Sequence, residues 1–202
     1  MQTITPETRG PGRPREFDMD EALDRAVRVF RERGYHATSI GDLAEAMKLA
    51  SGSIYKAFKD KHAVFLAAFD RYAARRTAET RGAAAVGASG RERLRNVLLS
   101  YAGASQGIEG RRGCLVVSST IELAARDPVV ATRVAESLKA NEAFLTDLIR
   151  QGQADGSIPA HIDADIAART LICLTQGLRV VGKARAHLDG DALVDTAMKM
   201  LA

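Results

Sequence analysis

Bulky apolar residues recur along this chain at intervals of three and four, with polar and charged residues between them. In "FDMDEALDRAVRVFRERG", Leu23, Ala26, Val27 and Phe30 follow the i, i+3, i+4, i+7 spacing of one helix face. Asp18, Asp20, Glu21 and Asp24 crowd its first turns, where acids meet the positive end of the helix dipole, and Gly34 ends it. A second helix is predicted to open at Thr38 or Ser39, with Asp42 placed for a reciprocal cap and Ile40, Leu43, Ala44 and Met47 turned inward. The next stretch, "LASGSIYKAFKDK", has the length of a third short helix. Only Leu49, Ile54 and Phe58 anchor it, and the rest is small, hydroxylic or basic.

From Lys61 a longer helix is expected through Phe65, Ala68, Phe69 and Tyr72 to about Arg81, followed by a small-residue linker over 82–90. Further helices are predicted over 91–106, 114–126, 128–154, 163–186 and 190–201, punctuated by Gly110, Gly113, Pro128, Gly156 and Pro159. The one β-like run, "CLVVSSTI", has no strand partner nearby. The expected class is all-α. Its organisation is a Pro/Gly/Arg-rich, disordered basic arm (1–16), a small three-helix unit (17–60) and a larger helical domain (61–202).

Composition narrows this picture. Hydrophobic residues make up 46% of the 202, enough for a substantial core, but aromatics reach only 5% and tryptophan is absent, which favours close-packed helices over a sheet. No apolar run approaches the ~18 residues a membrane-spanning helix needs, and the N-terminal segment lacks the apolar region of a secretory signal. A soluble, cytoplasmic protein is expected, with both cysteines, Cys114 and Cys173, reduced. The net charge of +4 is small, but its placement is uneven. Residues 48–61 hold four lysines against one acid, and residues 9–15 hold three arginines and none. Such a field attracts a polyanion.

Two short helices joined by a tight turn, "SIGDLAEAM-KLA-SGSIYKAF", match a helix-turn-helix, whose second helix enters the major groove of double-stranded DNA. Gly52 and Ser53 are small enough for close backbone approach. Tyr55 and Lys56 point outward to phosphates or base edges, and Lys48 adds charge in the turn. Lys61 opens the next helix, where free N–H groups favour a phosphate. Thr38 and Ser39 offer hydroxyls and N–H groups to the other strand, and Ser51 stands ready to cap the recognition helix or to read DNA. In the arm, the extended Gly-Arg-Pro segment can lay Arg13 into a narrow minor groove; a merely solubilising tail is the alternative.

With these residues in view, 17–65 resemble the DNA-binding domain of TetR-family transcriptional regulators. The resemblance rests on "GYHATSIGDLAEAM" followed by "GSIYKAFKDK", with the Gly-Ser-Ile-Tyr tetrad, Phe58 and Lys61 at the family's signature positions. It implies a three-helix DNA-binding domain, a connecting helix, a helical ligand-binding and dimerisation domain, and a homodimer that binds a palindromic operator, most simply as a repressor. It also implies that a ligand swings the connecting helix that begins at Lys61. Two positions depart from the family. Lys48 stands where glycine is frequent in the turn, and Ala50 replaces the usual capping hydroxyl.

In the remaining chain, two apolar series run through 128–154 and 163–186, which the resemblance places in the dimer interface. Candidates to line an inducer pocket are Phe69, Tyr72, Leu98, Tyr101, Cys114, Val117, Ile121 and Phe144. No cluster of carboxylates or arginines is visible in one direction, so an apolar or weakly polar small organic inducer is expected. Cys114, in "RRGC", sits at a helix start near Arg111 and Arg112, which leaves open an oxidant or electrophile sensor on the same fold; Cys173 reads as a packing residue. A helical adaptor without DNA binding is the other open reading. His36, His62, His161 and His187 are scattered without metal-ligand spacing, and no phosphate loop or nucleophile elbow is present. Neither catalysis, a metal nor a cofactor is expected, and Glu109 and Glu122 read as solvated charge.

Overall fold

The computed structural model describes residues 18–185 and 187–202. The predicted arm, Arg13 included, lies outside them. Among the described residues the secondary structure is helical throughout: α1 (Met19–Arg33), α2 (Ile40–Met47), α3 (Ser51–Ala57), α4 (Lys61–Ala85), α5 (Gly90–Ala104), α6 (Gly107–Arg112), α7 (Leu115–Glu122), α8 (Pro128–Ala154), α9 (Ala164–Ala184) and α10 (Gly190–Met198), closed by a 3₁₀ turn.

The start of each of the first helices follows from its sequence. Asp18 caps α1 by accepting from the Asp20 and Glu21 N–H groups at 3.0 and 3.2 Å. Ser39 and Asp42 form a complete capping box on α2, so Ser39 rather than Thr38 opens that helix. α3 starts without a side-chain cap: Ala50 is its N-cap residue, and Ser51 is already inside the helix. The turn before it holds Lys48 in the left-handed region, at φ 57° and ψ 44°. A non-glycine residue there costs about 1 kcal/mol.

Two hydrophobic clusters organise the chain. The first joins α1–α4 through Ala26, Val27, Phe30, Leu43, Met47, Ile54, Val64 and Phe65, and continues into Leu115 and Val116 of α7, Leu123 just after it, and Val130 and Val134 of α8. Phe30 and Phe65 meet edge-to-face with centroids 5.1 Å apart. The second cluster binds α5, α8, α9 and α10, with Leu94, Leu98, Leu145, Ile149, Leu171 and Val194 at its centre. The first half of α4 packs with the small N-terminal helices, α1 rests on α6 and α7, and α4 meets α7 and α8, so the core continues across residue 61.

Three local expectations change. α4 runs on through 82–85, because Ala83, Ala84 and Ala85 are strong helix formers and Ala84 is buried in the second cluster. The glycine-rich stretch after α5 folds as α6, whereas the run 114–121 forms α7 within the helix expected over 114–126. Cys173 is exposed on α9 rather than packed.

Candidate functional site

The outward surface of the helix-turn-helix is built by sparse anchoring. Of the seven residues in α3 only Ile54 is buried; Ser51, Gly52, Ser53, Tyr55 and Lys56 all face solvent, with Tyr55 54% exposed. Lys48 is exposed in the turn beside them. A Cβ placed on Gly52 would meet nothing within 4 Å, so no packing inside the chain demands glycine there. These side chains form one small, hydroxylic and basic face, shaped for a close approach to a polyanion.

The other predicted contacts are placed differently. Thr38 is buried, and its hydroxyl donates to the Gly34 carbonyl at 2.6 Å. The Ser39 hydroxyl and N–H are both engaged with the Asp42 carboxylate. These bonds from Ser39, with Arg33 alongside, hold the Asp42 carboxyl at about 2. The Lys61 ammonium turns inward, donating to the Tyr35 and Thr38 carbonyls at 3.0 and 2.9 Å and lying 4.3 Å from the Tyr35 ring centroid. Asp60 caps α4 through the Ala63 N–H.

The C-terminal helices grip this unit at several points that sequence reading passed over. Arg31, buried in α1, donates from Nε to the Gly113 carbonyl at 2.9 Å, and from its two terminal nitrogens to Glu109 Oε2 and the Glu109 carbonyl. Lys183 of α9 caps the Arg31 carbonyl at 3.1 Å. Burial works to raise the Glu109 pKa, but hydrogen bonds from Arg31 and Arg112 overcome it and hold the carboxyl at about 2. The Glu122 carboxylate accepts the Tyr35 and His36 N–H groups at 3.0 and 2.7 Å, clasping the turn between α1 and α2. Gly34, at φ +83°, makes room for it: an added Cβ would lie 2.8 Å from Glu122 Oε2. His62 pairs with Asp127 at 2.6 Å. Glu109 and Glu122 are thus docking groups rather than solvated charge. Their spacing along the chain carried no signal, because their partners lie some 80 residues away.

A small cavity lies between α4, α5, α8 and α9, with about 20 Å³ open to the centre of a water molecule. Tyr72, Tyr101 and Cys114 line it. Phe69 and Leu98 are core residues instead. Val117 and Ile121 border a neighbouring surface groove with Val180 and Lys183, which shares Cys114 and Arg179 with the cavity, and Phe144 packs under the Arg81 guanidinium, 5.3 Å from its ring centroid. The lining includes two arginines that the sequence did not bring together: Arg76 and Arg179 both face it, with Asn141 and Gln176. Long arginine side chains on separate helices converge only in three dimensions. Arg112, read from sequence as a neighbour acting on the Cys114 thiol, is committed to Glu32 and Glu109.

A helix-turn-helix with an exposed recognition face, docked on a larger helical domain that encloses a cavity, defines a DNA-binding regulator with an effector domain. Residues 22–68 match the family described as "Bacterial regulatory proteins, tetR family", and residues 90–200 match "Tetracyclin repressor-like, C-terminal domain". The chain is 30% identical over 179 residues to the HTH-type transcriptional repressor ComR of Escherichia coli strain K12, covering 88% of this chain and 85% of that protein. Its fold is similar to that of a cysteine mutant of the TetR family transcriptional regulator CifR in complex with 26-bp operator DNA, with a TM-score of 0.79, 30% identity and coverage of 94% and 98% of the two chains. It is also similar in fold to FadR of Bacillus subtilis in complex with stearoyl-CoA, with a TM-score of 0.71, 20% identity and coverage of 90% and 96%. The chain belongs to the TetR family of bacterial regulatory proteins and is a DNA-binding transcriptional regulator.

Proposed function

We propose that two copies of this chain bind a palindromic operator, repress transcription, and release the DNA when a small molecule occupies the C-terminal helical domain. The observation that carries this reading is the outward face of α3, where Ile54 alone anchors a helix that otherwise shows Ser51, Gly52, Ser53, Tyr55 and Lys56 to solvent. Tyr55, Lys56 and Lys48 are assigned to phosphates and base edges, and Gly52 to close backbone approach. Thr38, Ser39 and Lys61 hold the geometry of the unit through their internal bonds, which also engage the Thr38 and Ser39 N–H groups.

Dimerisation supplies affinity that one helix-turn-helix lacks, since two half-sites a helical turn apart bind as a linked pair. Its surface is assigned to α8 and α9, where Ile166, Val180 and Val181 of α9 remain exposed. The route from effector to DNA runs through the grip of Glu109, Gly113 and Glu122 on α1 and the α1–α2 turn. A shift of α6 or α7 displaces the whole reading unit, rather than only swinging α4.

The test is a titration of the full-length protein against DNA from upstream of its own gene, at two salt concentrations. Specific binding, lost in a variant carrying Tyr55→Ala and Lys56→Ala that keeps its helical content, supports the reading. Absence of binding even at low salt rejects it.

A further inference from the structure

The cavity between α4, α5, α8 and α9 carries an unbalanced set of hydrogen-bonding groups. Arg179 is only 3% exposed, yet its Nε and Nη1 have no partner, and its Nη2 donates to the Gly113 carbonyl alone. Among the described residues no carboxylate pairs with it, and none lines the cavity. The Tyr72 hydroxyl, 2% exposed, is likewise unpartnered. Burial raises its pKa well above the usual tyrosine value, so it stays protonated as a donor. Arg76 turns a third unpaired group, Nη2, toward the same space, while its Nη1 is held by Glu79. Buried donors without acceptors, and a buried guanidinium without a counter-charge, are both unfavourable unless something completes them.

We infer that this cavity takes the carboxylate of a small organic acid, bound by the free edge of Arg179, the Tyr72 hydroxyl and Arg76. A carboxylate is planar and accepts two parallel N–H bonds from a guanidinium, a match that a neutral carbonyl or hydroxyl cannot reproduce. The enclosed space, about one water by the usual measure, seats the carboxylate head alone, and the hydrocarbon part of a short acid enters as Val116 and the Tyr101 ring move apart. The Nη2 bond of Arg179 to Gly113 places the bound acid one residue away from the contact that docks Arg31. The inference rests on reading this domain as the effector domain and names the chemistry of its ligand.

Thermal unfolding of the full-length protein tests it at constant ionic strength, with acetate, propionate and butyrate set against acetamide, propionamide, butyramide and inorganic phosphate. At a concentration about tenfold above its Kd, at least one acid raises the midpoint by about 3 °C, its amide does not, and phosphate has no comparable effect. Arg179→Gln abolishes the shift. Tyr72→Phe, which keeps the ring and removes one donor, weakens acid binding about tenfold and carries the test if Arg179→Gln does not fold. Equal shifts with acid and amide, a shift with phosphate as large as with acids, no shift with any acid, or an unaltered response in both variants each overturn it. Operator binding separates this inference from the broader reading. If DNA is bound and an uncharged compound alone releases it, the carboxylate site fails and the repressor reading stands. If acids shift the midpoint but no DNA is bound, the reverse holds.

Discussion

Arg31 of the DNA-binding unit and Arg179 of the effector domain donate to the same acceptor, the Gly113 carbonyl oxygen, each at 2.9 Å. One backbone group therefore stands between the cavity and the helix that positions the reading head. Arg31 uses its whole planar fork, with Glu109 taking both terminal nitrogens. Arg31→Lys keeps the charge but cannot reach all three acceptors. It should lower stability by about 2 kcal/mol, read as a loss in urea midpoint with the slope unchanged. A midpoint equal to the parent's would mean that the fork does not dock the two domains.

The partner of that fork gives a pH signature. Glu109 is held at about 2 in the folded chain, below the value near 4.3 expected in the unfolded one. A depressed carboxylate contributes stability above its unfolded pKa, and that contribution is lost as pH falls through the folded pKa. Glu109→Gln should therefore be less stable than the parent at pH 6, with the gap closing between about pH 4.5 and 2. Its half-exposed side chain makes the gap modest. A gap independent of pH would locate the effect in side-chain packing instead.

α3 begins on Ala50 without a side-chain cap. Ala50→Ser supplies an oxygen to the free N–H groups of the first turn and should add about 1 kcal/mol. Thermal unfolding checks the gain; no change would place the true start of the helix at another residue.

Gly52 faces open space in a helix where glycine is unfavourable. Gly52→Ala should stabilise the isolated protein by about 0.5–1 kcal/mol and at the same time weaken operator binding, because the new methyl stands between backbone and DNA. Stability and affinity moving in opposite directions is the expected result. Stabilisation with undiminished affinity would remove Gly52 from the interface.

Lys48 occupies a left-handed turn position. Lys48→Gly should relieve about 0.5–1 kcal/mol of strain. If the ammonium meets a phosphate, the salt dependence of binding should fall by about 0.9 per reading unit. An unchanged slope would leave Lys48 with a solvated side chain.

The helices were legible where local rules are strong. The 3.6-residue apolar series of α1, the Ser39–Asp42 box and the sparse anchors of α3 each specify their element without reference to the rest of the chain. α6 was not legible, since "QGIEGRRG" reads as a turn. It forms because its glycines permit contact that side chains would block: a Cβ on Gly110 would fall 2.4 Å from the Ser105 carbonyl oxygen, and one on Gly182 of α9 2.0 Å from the same oxygen. That reason exists only once α5, α6 and α9 are together.

Propensity, periodicity and capping act over a few neighbouring residues, and they alone specify an all-helical chain, a helix-turn-helix and the small, basic face it presents. Which charges are structural and which face solvent followed from the packing of distant helices. It turned Lys61 and Thr38 inward, set Glu109 and Glu122 as clasps between domains, and left Arg179 buried with unpaired N–H groups beside Tyr72. The physical reason is that the state of a charged or polar side chain is set by the partners and solvent around it. In this chain those partners come from helices far apart in sequence, and their placement follows from packing rather than from any local pattern.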